Sequence, residues 1–144
     1  MVFRGTFDYS LDAKNRLTVP PRFRGALSEG VVLAMGLAPC VALWPAKDYD
    51  AYTQSSLAGL HPLSDQAQTL KRFFSANCLD TDLDAAGRVM VPSFLIDHAG
   101  LSKEVVVTGS GDALEIWDRA IWSGYNAKLA AAVHDITKSL GHTA

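Results

Sequence analysis

LDAKNRLTVP, residues 11–20, reappears as LDAAGRVMVP, residues 83–92, and the reading of the fold turns on that recurrence. Leu11, Asp12, Ala13, Arg16, Val19 and Pro20 match Leu83, Asp84, Ala85, Arg88, Val91 and Pro92, six identities in ten positions at an offset of 72. Outward from this block the likeness loosens but keeps its order. VVLAM from Val31 answers VVVTG from Val105, and VALWP ending at Pro45 answers LEIWD ending at Asp118. Recurrence at a fixed offset means one supersecondary unit used twice.

Within a unit, the weakly alternating stretch before the shared Asp and the Leu-Thr-Val or Val-Met-Val after the shared Arg are strand signals. Asn15 and Gly87 hold the same place between those strands, and both residue types tolerate a left-handed backbone. A tight, hairpin-like turn is expected there. Pro20 and Pro92 stop the second strand, and Pro21 or Ser93 starts a short helix through RFRGAL or FLIDHAGL, the latter ended by Gly100. Two further strands complete the unit; in the second copy they flank Gly109-Ser110-Gly111-Asp112, a strong turn signal. Four short strands and one short helix are too little for an independent core, so the two halves are expected to share one.

These spacings divide the chain into a first unit at 3–47, connecting helices at 48–75, a second unit at 76–120, and a C-terminal helix and tail at 121–144. Tyr49, Tyr52 and Leu57, then Ala67, Leu70 and Phe74, carry the helical spacing of the connection. Ile121, Tyr125, Leu129, Val133, Ile136 and Leu140 give the last helix an apolar face, which is expected to cover the protein's own core. Trp44, Trp117 and Trp122 read as core or interface anchors.

Composition narrows the function. With 49% hydrophobic residues and a formal charge of −2, the chain is globular and carries no global basic field, so any nucleic-acid surface must be local. Cys40 and Cys78 lack zinc-site spacing and fit a reducing compartment, with Cys40 a packed small residue. No secretory segment is expected from the polar N-terminus, and the longest uncharged stretch, from Gly30 to Ala46, is broken by Gly36, Pro39 and Pro45, so no membrane partner is expected. His61, His98, His134 and His142 show no metal-ligand spacing, and no phosphate loop or nucleophile elbow exists. A calcium loop at Asp80, Asp82 and Asp84 fails, because Ala85 stands where its Gly belongs and Val91 where its bidentate Glu belongs. A proton-sharing carboxylate pair fails too, since each Asp is followed by an Arg that would keep it ionised. No catalysis, cofactor, metal or small-molecule substrate is expected.

Two uses of the repeated loop remain. Asp12 and Asp84 can structure it by accepting backbone N–H bonds while Arg16 and Arg88 pair with them. Alternatively, Arg16 and Arg88 face a nucleic acid, where a guanidinium engages phosphate or the O6 and N7 acceptors of guanine. From Arg4 to Arg24 the balance is plus three, with Arg4, Lys14, Arg16, Arg22 and Arg24 against Asp8 and Asp12. Asp80, Asp82 and Asp84 around Arg88 make the second copy acidic, so the first is expected to dominate any phosphate contact, although Arg22 and Arg24 also fit a solvated helix face.

Phe3-Arg4-Gly5, LDAKNRLTVPPRFR, LDAAGRVMVP and DALEIWDRAIW together resemble the MraZ family over residues 3–122. The resemblance implies an α+β, mainly β fold: a pseudo-symmetric swapped-hairpin (double-split) β-barrel of two tandem SpoVT/AbrB-type units, related to AbrB and MazE, with connecting helices and a C-terminal helix. It implies a sequence-specific DNA-binding transcriptional regulator, commonly a repressor of its own division and cell-wall gene cluster. A ring-shaped homo-oligomer on guanine-containing direct repeats of double-stranded DNA, in the cytoplasm and associated with the nucleoid, is part of the same expectation. Carried onto this chain, it makes Arg16 the first candidate for DNA contact, with Lys14 and Asn15 beside it and Arg88 with Gly87 in the second loop. Arg4, Arg22 and Arg24 are supporting phosphate candidates, and Asp12 and Asp84 structure the loops. Two positions depart from the family: Asn15 replaces its usual Gly, and Ala86 replaces a basic residue. The competing reading is an antitoxin-like oligomeric scaffold that binds protein without direct DNA recognition.

Overall fold

Thirteen elements follow the predicted order in the computed structural model, which describes residues 1–141. They are β1 (Thr6–Ser10), β2 (Arg16–Thr18), a 3-10 turn (Pro21–Phe23), β3 (Val31–Met35), β4 (Val41–Pro45), α1 (Ala46–Leu57), α2 (Asp65–Ala76), β5 (Cys78–Thr81), β6 (Arg88–Met90), α3 (Ser93–Ala99), β7 (Glu104–Gly109), β8 (Leu114–Asp118) and α4 (Arg119–Gly141). The fold is α+β with a mainly antiparallel sheet.

A six-stranded sheet runs β1-β7-β8-β4-β3-β5, and β2 pairs separately with β6. If each strand is exchanged for its counterpart in the other copy, the order reads the same backwards. The centre of this symmetry is the β4–β8 pair, where Ala42 lies opposite Glu115, and in the small ladder it is Leu17 opposite Val89.

The tight turn expected between Asp12 and Arg16 forms, but the strands on either side of it take other partners. Among the described residues the strands flanking the 12–16 turn do not form a hairpin with each other: β1 pairs with β7, from Thr6 opposite Thr108 to Ser10 opposite Glu104, and β2 pairs with β6. The second copy does the same, β5 joining β3. The reason lies in length and burial. β1 finds a five-residue ladder along β7, whereas the three-residue β2 could satisfy little of it; paired with β6 it points Leu17 and Val89 into the interior.

That interior is shared, as expected. Leu17, Val19, Val89 and Val91 from the small ladder meet Leu33, Leu43, Val105, Val107, Leu114 and Ile116 from one face of the large sheet, with Phe23 and Leu95 closing the ends. Each such side chain contributes about 1.5–3 kcal/mol through removal from water. The exchange of strands thus places both loops on one rigid body.

The helices differ between copies. α3 forms as predicted and stops at Gly100, whose φ of +61° gives a left-handed cap. Its expected counterpart through RFRGAL is only a 3-10 turn followed by bonds of the same short span, Leu27 N–H to Arg24 O and Ser28 N–H to Gly25 O. Gly25 and Ser28 are poor helix formers, and nothing there offsets their cost. α1 and α2 lie between the two copies, with Ser64 Oγ accepting the Ala67 N–H at 3.1 Å as an N-cap.

The C-terminal helix departs further from expectation. Asp118 starts it, accepting the Ser102 hydroxyl at 2.6 Å and the Ile121 N–H at 3.3 Å, and the Ser102 bond holds this carboxyl below its ordinary range. Trp122 and Tyr125 then lie on Trp117. None of the described residues of α4 is buried, so its apolar face does not cover the core. A straight helix of 23 residues spans about 34 Å, more than the sheet beneath it, and no turn brings it back.

Candidate nucleic-acid interface

Each loop is built around one carboxylate. Asp12 Oδ1 accepts the N–H groups of Lys14 and Arg16 at 2.9 Å, and Oδ2 accepts Arg16 Nε at 2.7 Å. Asp84 repeats this with Ala86 N–H at 2.9 Å, Arg88 N–H at 2.8 Å and Arg88 Nε at 2.8 Å. The main chain closes both turns, Asn15 N–H on Asp12 O and Gly87 N–H on Asp84 O at 2.9 Å. Asn15 and Gly87 are left-handed at φ +58° and +76°, the shared conformation their types suggested.

The N–H of Arg16 and that of Arg88, then the guanidinium bonds, hold the two Asp carboxyls below their ordinary range against the opposing effect of desolvation. Both are therefore anions at neutral pH. The stabilisation they give is complete above the unfolded carboxylate value of about 4 and is lost as pH falls through the lowered folded values.

The pairing consumes Nε alone. Among the described residues neither guanidinium makes any other side-chain hydrogen bond or ion pair, so both Nη groups of Arg16 and of Arg88 stay available on a fixed plane. The two uses weighed for the loop do not exclude each other: the Asp fixes the Arg, and the Arg keeps its outer fork.

Both arginines lie on the same face of the β2–β6 ladder. Arg16 stands opposite Met90 and Arg88 opposite Thr18, with Val19 N–H bonded to Gly87 O and Val91 N–H to Asn15 O, each at 2.9 Å. Because Leu17 and Val89 point inward, alternation turns Arg16, Thr18, Arg88 and Met90 outward, and Met90 is 60% exposed. The arginine backbones stand two residues apart along the ladder, about 7 Å. A two-stranded ribbon of this width enters a DNA major groove. Thr18 and Met90 were not among the residues picked from sequence, though simple alternation about Leu17 and Val89 marks them.

The other candidates divide. Lys14 and Asn15 are exposed at the tip of the first loop. Arg24 crosses to the second: its Nε donates to Val19 O at 3.0 Å, and its side chain lies over Gly87, where a Cβ would collide with it. This buries Gly87 while its counterpart Asn15 stays exposed. A cation from the first copy thus stands at the loop where Ala86 leaves a basic position empty, a placement that linear charge counting assigned to the first loop. Arg22 is exposed, its guanidinium 6.0 Å from the Phe23 ring centre. Arg4 is not part of the cluster. Its neighbour Phe3 pairs with Gly111 at the β7–β8 turn, the far end of β1 from the loop.

Sequence reasoning also missed Arg119, whose Nη2 donates to Tyr9 O at 2.9 Å and Val105 O at 3.2 Å while Nη1 meets Glu104 at 3.0 Å. It straps the end of β1, and so the entry to the first loop, onto β7. Among the described residues no cluster of three or more His, Cys, Asp or Glu could hold a metal, and no helix is long and apolar enough to cross a membrane.

Comparison with known proteins agrees with the repeated architecture. The model of a family described as "MraZ protein, putative antitoxin-like" matches residues 2–74 and 76–140. The chain is 34% identical over 139 residues to the transcriptional regulator MraZ of Heliobacterium modesticaldum, covering 96% of each protein. It is 35% identical to the protein of that name from Lactiplantibacillus plantarum, covering 96% of this chain and 98% of the relative. The Leuconostoc citreum protein of the same name is 34% identical with 96% of each covered.

Proposed function

The chain belongs to the MraZ family, and on that premise we propose that it is a sequence-specific DNA-binding transcriptional regulator whose two Asp-x-x-x-Arg loops contact double-stranded DNA. In this reading it represses the division and cell-wall gene cluster that includes its own promoter, binding direct repeats there as a ring-shaped homo-oligomer associated with the nucleoid. The observation that carries the proposal is the pair of half-buried arginines held at Nε on the outer face of one ribbon, with no other side-chain partner for either guanidinium among the described residues. The exchanged pairing of β1 with β7 and β5 with β3 supports reading residues 3–47 and 76–120 as two SpoVT/AbrB-type units interlocked in a swapped-hairpin barrel.

Arg16 and Arg88 read guanine edges or phosphates, and Lys14, Arg22 and Arg24 add phosphate contacts. A formal charge of −2 is compatible with this, because copies joined in one oligomer bind adjacent repeats at high effective concentration without a large basic patch on each. Affinity is accordingly expected to rise at least about tenfold on going from one guanine-containing repeat to three spaced by one helical turn. A gel-shift series over repeat number, with scrambled duplexes of equal length, measures it; equal affinity for repeats and scrambled DNA contradicts the proposal.

The scaffold reading has one observation on its side, the exposed apolar face of α4. It predicts that Arg16→Ala leaves function intact, so the two readings part on one variant.

A further inference from the structure

A cleft of about 460 Å³ lies beside the first loop. Asp12, Ala13 and Asn15 form one wall, and Leu101, Ser102 and Lys103, which join α3 to β7 in the second copy, form the other. The second wall is held in place: Ser102 Oγ donates to Asp118 at 2.6 Å, and Lys103 O accepts the Leu11 N–H at 2.8 Å. That last bond continues the β1–β7 register, in which Phe7 lies opposite Val107 and Tyr9 opposite Val105. By alternation Lys103 falls on the face of Val105 and Val107, the face that the β2–β6 ribbon covers. Because β7 begins only at Glu104, Lys103 lies just past the ladder at the first-loop end of the molecule, and it is exposed.

The acids around Lys103 are committed elsewhere. Asp12 holds two main-chain N–H groups and Arg16 Nε, while Glu104 meets Arg119 at 3.0 Å and accepts the Ser10 hydroxyl at 3.2 Å. Among the described residues Lys103 has no ion pair. The first loop thus gathers Lys14, Arg16 and Lys103 against the single charge of Asp12. The equivalent place beside the second loop differs. Tyr9 opposite Val105 corresponds to Thr81 opposite Val31 in the other copy, so Lys103, two residues before Val105, corresponds to Glu29, two residues before Val31. Glu29 is exposed as well, and an anion stands where the first loop has a cation.

We infer that this cleft binds one backbone phosphate of the DNA, held by Lys103 and the Asn15 amide, beside the base whose edge Arg16 reads. A phosphodiester is the occupant that fits, because it is an anion with acceptor oxygens only, matched to ammonium and amide donors, and the duplex that Arg16 engages supplies it. Lys103 belongs to the second copy and its loop to the first, the reverse of Arg24 over Gly87, so each loop is completed by a cation from the opposite copy. Glu29 repels a phosphate at the equivalent place, and the backbone is therefore gripped at the first loop. A subunit with two unequal loops has a direction along the duplex, as repeats in one orientation demand. This inference rests on the DNA binding in the proposed function and identifies the backbone contact of its first loop.

The test uses the full chain and a single-repeat duplex. Lys103→Gln removes one cation at an exposed position, so circular dichroism and oligomer mass should match those of the native chain. The slope of log K against log salt should become shallower by roughly 0.9, the contribution of one phosphate. The preference for the repeat over a scrambled duplex should stay, since a backbone contact carries no sequence information. Lys47→Gln, at the exposed start of α1 on the other face of the sheet, is the control and should leave the slope unchanged. Replacing the phosphates of the repeat one at a time with uncharged methylphosphonate should find a position that weakens binding of the native chain and is silent in Lys103→Gln. A Lys103→Gln slope equal to the native one, or no methylphosphonate position that the variant ignores, overturns the inference while leaving loop-based repeat binding standing. A native chain that binds repeat and scrambled DNA equally overturns both.

Discussion

Arg16→Ala lowers affinity for a repeat-bearing duplex by roughly 10- to 100-fold per engaged subunit, because a bidentate guanidinium contact to guanine is worth about 1–3 kcal/mol. Secondary structure and oligomer mass stay unchanged, since the Arg16 side chain is part-exposed and its one bond is to Asp12. Arg16→Lys does not restore the loss. A lysine has no Nε–H with a fixed planar fork beyond it, so the bond to Asp12 and the outward Nη pair cannot be kept together. Fluorescence anisotropy on labelled duplex gives the number, and a variant that binds as tightly as the native chain removes Arg16 from the interface.

The second prediction has a sign that separates organised loops from bulk charge. Deleting an anion beside a DNA-contacting arginine should strengthen binding if electrostatic attraction alone matters. Asp12, however, accepts two main-chain N–H groups and the Arg16 Nε, so Asp12→Ala leaves three donors unpaired and the arginine unfixed. The expected result is a loss of about tenfold or more in affinity, nearly as large as that of Arg16→Ala. Asp12→Asn, which keeps an oxygen for the N–H bonds but loses the charge facing Nε, should fall between. Between pH 8 and 5 this arrangement is constant, because the Asp12 and Asp84 carboxyls are held below their ordinary range; it fails only as pH drops through those lowered values.

Much of this could be read in the amino acids, and the parts that could not have physical causes. The Asp-to-Arg spacing predicted the loop chemistry because it is local: a carboxylate two and four residues from its donors needs no tertiary information. Strand order was legible for the same reason, through alternation and turn residues. Partner choice was not. Nothing in residues 6–18 distinguishes a hairpin from exchange with the other copy, since the competing ladders differ mainly in length and in which face buries Leu17. Arg24 was visible as a basic residue, but its place over Gly87 depends on the β2–β6 pairing, a long-range fact. For α4, periodicity located an apolar face, but the expectation that it covers the protein's own core failed. The missing clue was the absence of breakers like Gly59 and Pro62, which follow α1 and decide whether a helix returns to its own sheet or projects from it.

If the β2–β6 ribbon with its two arginine loops is the DNA-binding surface, a salt titration of binding shows it. Binding constants for the native chain and for Arg16→Ala with Arg88→Ala are measured on a three-repeat duplex and on a scrambled one across 50–300 mM salt. For the native chain on repeats, log K should fall steeply with log salt, by roughly 0.9 for each phosphate neutralised, and the double variant should lose both the steepness and the preference for repeats. Identical slopes and affinities for the two proteins on the two duplexes would contradict the account.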